Sequence, residues 1–295
     1  MQALFNIFEI GDSESQVICA RSVANMVLCD QVRSRSIEYG ALTILDKGVR
    51  LDDKDGSKQC VKAIFVASST QFRMKISNSS LPLTLLDIAM PKINVERYEY
   101  VMRTLCNTAY DIESRVFLQN ETFILKLIEL MRTNLTDVAA EYFAVVLCVL
   151  TYGYPNPQEL ISAGIVEALA ILTETSNTKV VIRAAVNTIR ALCEMHEPAI
   201  PAMATPEIMA VLKKACIAEE EEPGKPTDGS AMYNIASVLY LFSQDGEKTR
   251  SRTAIPDLLD LLLSLRNCPS VSSVHAILLS YFVCSLSSAF YSVSA

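Results

Sequence analysis

The sequence predicts an all-α chain built as a stack of short helical repeats. Three observations point there. Apolar residues recur at helical spacing, as in Ile165, Leu169 and Leu172, or Val181, Ala185, Ile189 and Leu192. The chain is 51% hydrophobic yet has only 9 Gly, a balance that favours helix over a glycine-rich β fold. A small-residue anchor ahead of one helix returns at steps of about forty residues, the period of stacked helical arrays.

The stretch 156–194, NPQELISAGIVEALAILTETSNTKVVIRAAVNTIRALCE, sets the pattern. Pro157 suits a helix start, because its missing N–H would have no partner there. A short polar helix then ends at Gly164. A second helix carries Ile165, Leu169 and Leu172. A polar turn, Thr175 to Thr178, separates it from a longer third helix that buries Val181, Ala185, Ile189 and Leu192.

Equivalents of Gly164 run along the chain as Gly40, Ser80, Thr122, Gly164, Ala204 and Thr253. Ahead of the first anchor, Leu4 and Phe8 read as the end of a middle helix, and Ser13 to Val27 as a long third helix. The expected organisation is one array over 1–295. It has a partial repeat at 1–31 and six full repeats at about 32–71, 72–112, 113–154, 155–195, 196–245 and 246–290. The fifth of these is lengthened by an acidic insertion, 218–230, whose Glu219 to Gly229 segment cannot bury a core. The chain is expected to begin inside a repeat. It also ends on an apolar helix, so neighbouring repeats, further domains or a partner are expected to cover its ends.

The order small-Gly-Ile-x-x-x-Leu, polar turn, then Ala-rich to Ile-x-x-Leu resembles an armadillo repeat. So does Ile255-Pro256-Asp257-Leu258 with Leu261 and Leu262. It matches the family's helix anchor, Gly-x-Ile-Pro-x-Leu-x-x-Leu-Leu, except that Thr253 replaces the Gly. The resemblance implies a right-handed α-solenoid whose third helices line a concave groove. With third helices aligned on Val23, Ile64, Leu105, Leu147, Ile189 and Leu239, the position two residues earlier holds Arg21, Lys62, Arg103, Val145, Asn187 and Ser237. Two residues later stand Asn25, Val66, Asn107, Val149, Ala191 and Leu241. Asn25 and Asn107 match the family's groove Asn, which clamps the backbone of an extended peptide. An amide suits that task because it both donates and accepts.

The family's nuclear-import adaptors place Trp four residues before that Asn. This chain has 0 Trp, and Arg21 and Arg103 fill those slots. A basic ladder instead looks like the catenin-type groove, which holds acidic extended segments through bidentate arginines. The alternative is that these are exposed residues with local partners, such as Arg103 with Glu99 one turn back.

Catalytic and metal chemistry is not expected. His196 and His275 are the 2 His, far apart and without a spaced ligand cluster. No phosphate-binding glycine loop or nucleophile elbow occurs. Asp53-Lys54-Asp55-Gly56 hints at a calcium loop, but Leu51 would take the first ligand position and Lys62 the twelfth, so a turn between helices is expected there. The 9 Cys include no Cys-x-x-Cys pair and read as small hydrophobes in a reducing compartment. Glu9 and Asp12 break any secretory run, so the three Asn-x-Ser/Thr sequons read as chance. The uncharged run 271–295 is long enough to span a bilayer, but its many Ser favour a final repeat helix. Net charge of −7 does not advertise nucleic-acid binding.

The expected function is a non-catalytic cytoplasmic scaffold with protein partners and no cofactor. It would hold an acidic extended segment along Arg21, Asn25, Lys62, Arg103, Asn107 and Asn187. Two alternatives stand beside it: a chaperone or assembly factor for motor, cytoskeletal or ciliary proteins, and a regulatory or autoinhibitory array of a larger enzyme.

Overall fold

A computed structural model describes residues 2–89, 95–132, 136–220 and 229–245. Among the described residues every regular element is helical. The last expected repeat, the Thr253 anchor, the apolar run 271–295 and His275 lie outside them, as does the middle of the acidic insertion. The helices divide between two compact units, residues 1–130 and 131–295.

The first unit holds α1 (Gln2–Ile10), α2 (Ser13–Leu28), α3 (Asp30–Glu38), α4 (Ala41–Gly48) and α5 (Lys54–Ser68). It continues with α6 (Arg73–Ser77), α7 (Leu81–Ala89), α8 (Val95–Tyr110), α9 (Ile112–Leu118) and α10 (Glu121–Met131). Long third helices start where a side chain satisfies an otherwise unpartnered N–H. Asp12 accepts from the Ser15 N–H at 2.9 Å, and Asp53 from the Gly56 N–H at 2.8 Å. Asp53-Lys54-Asp55-Gly56 is therefore the cap and first turn of α5 rather than a turn between helices.

Helices α2, α5 and α8 pack side by side in that order. Along this packing α2 buries Val23, Ala24 and Val27, and α5 buries Cys60, Val61, Ile64 and Ala67. Val101, Met102 and Leu105 continue the core, and all of these are buried. Each buried Val, Ile, Leu or Met side chain among them contributes about 1.5–3 kcal/mol of transfer free energy. No single helix triplet could bury these faces alone.

The C-terminal carbonyls of the same three helices are also satisfied, by arginines of the following short helix. Arg33 Nε donates to the Val27 carbonyl at 2.7 Å, Arg73 Nε to Ser68 at 2.9 Å, and Arg115 Nε to Ala109 at 3.0 Å. A cation there also opposes the negative end of the helix dipole.

The second unit holds α11 (Asp137–Thr151), α12 (Pro157–Ser162), α13 (Ile165–Thr175) and α14 (Lys179–Met195). A 3₁₀ turn (Glu197–Ala199) leads into α15 (Ile200–Met203), followed by α16 (Pro206–Glu220) and α17 (Gly229–Gln244). Pro157 opens α12, as its lack of an N–H dictates. Thr178 caps α14 through the Val181 N–H at 3.4 Å. Helices α11, α14 and α17 stack through Phe143, Leu147, Ile189, Leu192, Ile235, Leu239 and Phe242, all buried.

Two anchors behave as their glycine implies. Gly40 and Gly164 precede α4 and α13 at φ of +92° and +86°, a left-handed conformation that side chains resist. Two other expected anchors fall elsewhere. The residue before α10 is Asn120, not Thr122, and the one before α16 is Thr205, not Ala204. There a polar cap does the work of the glycine. Asn120 Oδ1 accepts from the Phe123 N–H at 3.0 Å and Thr205 Oγ1 from the Ile208 N–H at 3.3 Å.

The cysteines pack as apolar groups. Burial pushes the Cys60 and Cys193 thiols up to about 12 and that of Cys148 to about 11, so all three stay protonated at neutral pH.

Gly40→Ala is expected to cost about 1–2 kcal/mol, because only backbone strain opposes it: open space surrounds the added methyl. Gly164→Ala is expected to cost a similar amount, because its methyl meets only the tip of the flexible, part-exposed Arg132 side chain, which can swing aside. Urea unfolding of both variants tests this.

Candidate functional site

The face of the third helices that the core does not use is the natural place for a site. On α5 it presents Lys62, Phe65, Val66 and Ser69, at helical spacing, each exposed or half-buried. On α8 the matching stripe holds Glu99, Tyr100, Arg103 and Asn107, all half-buried. On α2 it holds Ile18, Arg21, Ser22 and Asn25. The aligned positions of the first unit thus share one face.

Their chemistry differs rung by rung. Arg21 leans on the next third helix. Its Nε and Nη2 donate to Asp53 Oδ2 at 3.0 and 2.7 Å, and Asp53 is itself the cap of α5. The arginine side chain is 42% exposed, so the pair stands half in water. Asn25 is exposed, and its Oδ1 accepts from Gln59 Nε2 of α5. Arg103 pairs with Glu99 one turn earlier on its own helix, as its sequence spacing allows, and is 40% exposed. Asn107 Nδ2 donates back to Ser68 Oγ at 3.0 Å and Ser69 Oγ at 3.2 Å, at the end of α5. Lys62 is exposed and has no ion-pair partner among the described residues. Its neighbour Lys58 pairs with Glu96 of α8. The cations therefore alternate with acids, and Lys62 alone of the three rungs keeps its charge uncommitted.

In the second unit Asn187 faces α17. Its Oδ1 accepts from Asn234 Nδ2 at 2.5 Å, and Asn234 Oδ1 in turn accepts from Arg190 Nη1. Arg190 also donates to Glu194 Oε1 at 2.7 Å and lies 4.8 Å from the Tyr233 ring centroid. Pairing with Glu194 holds the guanidinium charged against the opposing cost of burial. Of the apolar positions expected on this side, Val145 and Val149 are half-buried, but Ala191 is buried and drops out of the face.

Following two positions per helix left other residues unseen. The Phe65 and Tyr100 rings meet at 5.5 Å between centroids, tilted by 33°. Arg190 and Tyr233 form the corresponding contact in the second unit. Both involve the position just after the aligned core residue of the earlier helix, a register that a single sequence does not single out.

No family model matches the sequence, and no curated protein is similar to it at a significant level. Solved structures are similar. One is Uso1-2, at TM-score 0.68 and 12% identity, covering 96% of this chain and 50% of that one. Another is a computationally designed armadillo repeat protein for modular peptide recognition, at TM-score 0.62 and 13% identity, covering 83% of this chain and 99% of that one. The chain has the armadillo-type repeat fold. A further designed armadillo repeat protein, in complex with the peptide (KR)4, matches at TM-score 0.53 and 18% identity over 81% of this chain and 98% of that one. Identities this low speak to the fold alone.

The geometry ranks two variants of the same pair. Asp53→Ala removes both the helix cap and the arginine's partner and is expected to destabilise by about 1–2 kcal/mol. Arg21→Gln removes only a half-exposed ion pair and is expected to cost under about 1 kcal/mol. Denaturant midpoints of the two variants check the order.

Proposed function

We propose that this chain is a scaffold that holds an extended, acidic segment of another protein along the exposed face of α2, α5 and α8. The observation that carries this is the row of Arg21, Lys62 and Arg103, with Asn25 and Asn107 one turn further on the same face. Lys62 offers a free ammonium to a guest carboxylate. Arg21 and Arg103 are each at least 40% exposed, so a guest carboxylate can join or replace the acids they already hold. The designed repeat proteins of the same fold that were built for peptide recognition support a peptide as guest. One of those binds a basic peptide. Here the cationic rungs favour the opposite charge. The buried free cysteines of both units suit a reducing compartment such as the cytoplasm.

Lys62 gives the cleanest test, because replacing it disturbs no internal pair. Labelled peptides of equal length, one rich in Asp and Glu, one neutral and one of alternating Lys and Arg, are titrated by fluorescence anisotropy. The acidic peptide is expected to bind tightest, and Lys62→Glu to weaken it about tenfold with unchanged thermal unfolding. Tighter binding of the Lys-Arg peptide, or indifference to Lys62→Glu, overturns the charge preference.

A further inference from the structure

Between α5 and α8 the exposed face changes character. Toward the start of both helices, Lys58 of α5 is joined to Glu96 of α8. Toward their ends, Asn107 of α8 is joined to Ser68 and Ser69 of α5, at 3.0 and 3.2 Å. These two polar links clasp the same pair of helices, one on each side of an apolar window. The window holds the tilted Phe65–Tyr100 pair and, one residue on, Val66, all half-buried. Val66 stands in the register that holds Asn25 on α2 and Asn107 on α8. At this rung the amide that would grip a guest's backbone is replaced by a branched hydrocarbon. Lys62 and Arg103 flank the window, one from each helix.

Resting on the reading of this face as a peptide groove, we propose that the window is a side-chain subsite. It takes one bulky apolar residue, aromatic or branched, from an extended guest whose neighbouring residues are acidic. The physical case is one of matched surfaces. Two tilted rings and a valine leave apolar area in water that a guest ring or isobutyl group would cover, and rings favour this offset geometry. The guest's carboxylates would then lie beside Lys62 and Arg103, where a charge contact gains from the water displaced by the apolar contact. A wholly charged guest would instead leave Phe65 and Val66 uncovered.

The test uses the full chain and three labelled acidic peptides that differ at one central residue: Phe, Leu or Ala. The Phe and Leu peptides are expected to bind about tenfold tighter than the Ala peptide. Val66→Asn restores the polar rung without emptying any core, so its thermal unfolding should match the parent while the advantage of Phe over Ala falls to about twofold or less. Equal affinity for the Phe and Ala peptides overturns the subsite and leaves the acidic groove standing. So does an undiminished preference for Phe in Val66→Asn. If none of the three acidic peptides binds, the groove reading fails and the subsite falls with it.

Discussion

The structure depends on the stacking of third helices. Each has an apolar stripe too wide for its own triplet to cover, so within each unit it lies against a neighbouring third helix. In the first unit this gives α2, α5 and α8, and in the second α11, α14 and α17. The caps serve the same constraint. An Asp or Thr side chain fixes where a third helix starts, and in the first unit an arginine from the next short helix holds where it ends. With both ends fixed, the apolar rows of adjacent helices stay in register and the remaining stripe is left facing outward.

That outward stripe is not a bare row of charges. Arg21 and Arg103 carry their own carboxylates, and Lys58 reaches across to Glu96. Pairs this exposed contribute little to stability, on the order of 0–1 kcal/mol each. They matter more for what the surface offers a guest. A paired arginine presents a dipole rather than a full charge, so long-range attraction is weak and discrimination rests on close contacts. Lys62 and the Phe65–Tyr100 rings stand outside those pairs. The second unit solves the same packing with other chemistry, a chain of amide and guanidinium bonds from Asn187 through Asn234 to Arg190, laid over Tyr233.

The helices of the described residues were legible because their signals are local. Apolar spacing marks the buried stripe, and Pro157, Gly40 and Gly164 mark boundaries through backbone geometry that few residues tolerate. At two of the places where a glycine was missing, the anchor slipped by one or two residues, because Asn120 and Thr205 reach the same end by side-chain capping; Ser80 held its place before α7. Reading Asp53 to Gly56 as a turn failed for a related reason. An Asp beside a Gly suits a turn and a helix start equally, and only the Gly56 N–H bond to Asp53 tells them apart.

The sequence by itself determined the all-α class and which exposed stripe of its own helix holds Arg21, Lys62 or Arg103, since both follow from the spacing of apolar residues along a single helix. Only the tertiary structure decided what those side chains touch. Asp53 is thirty-two positions from Arg21, and Asn107 thirty-nine from Ser68. Such partners come from neighbouring third helices, whose relative rotation is set by how two packed apolar faces interlock. That rotation is a property of two surfaces together, and neither helix carries it alone.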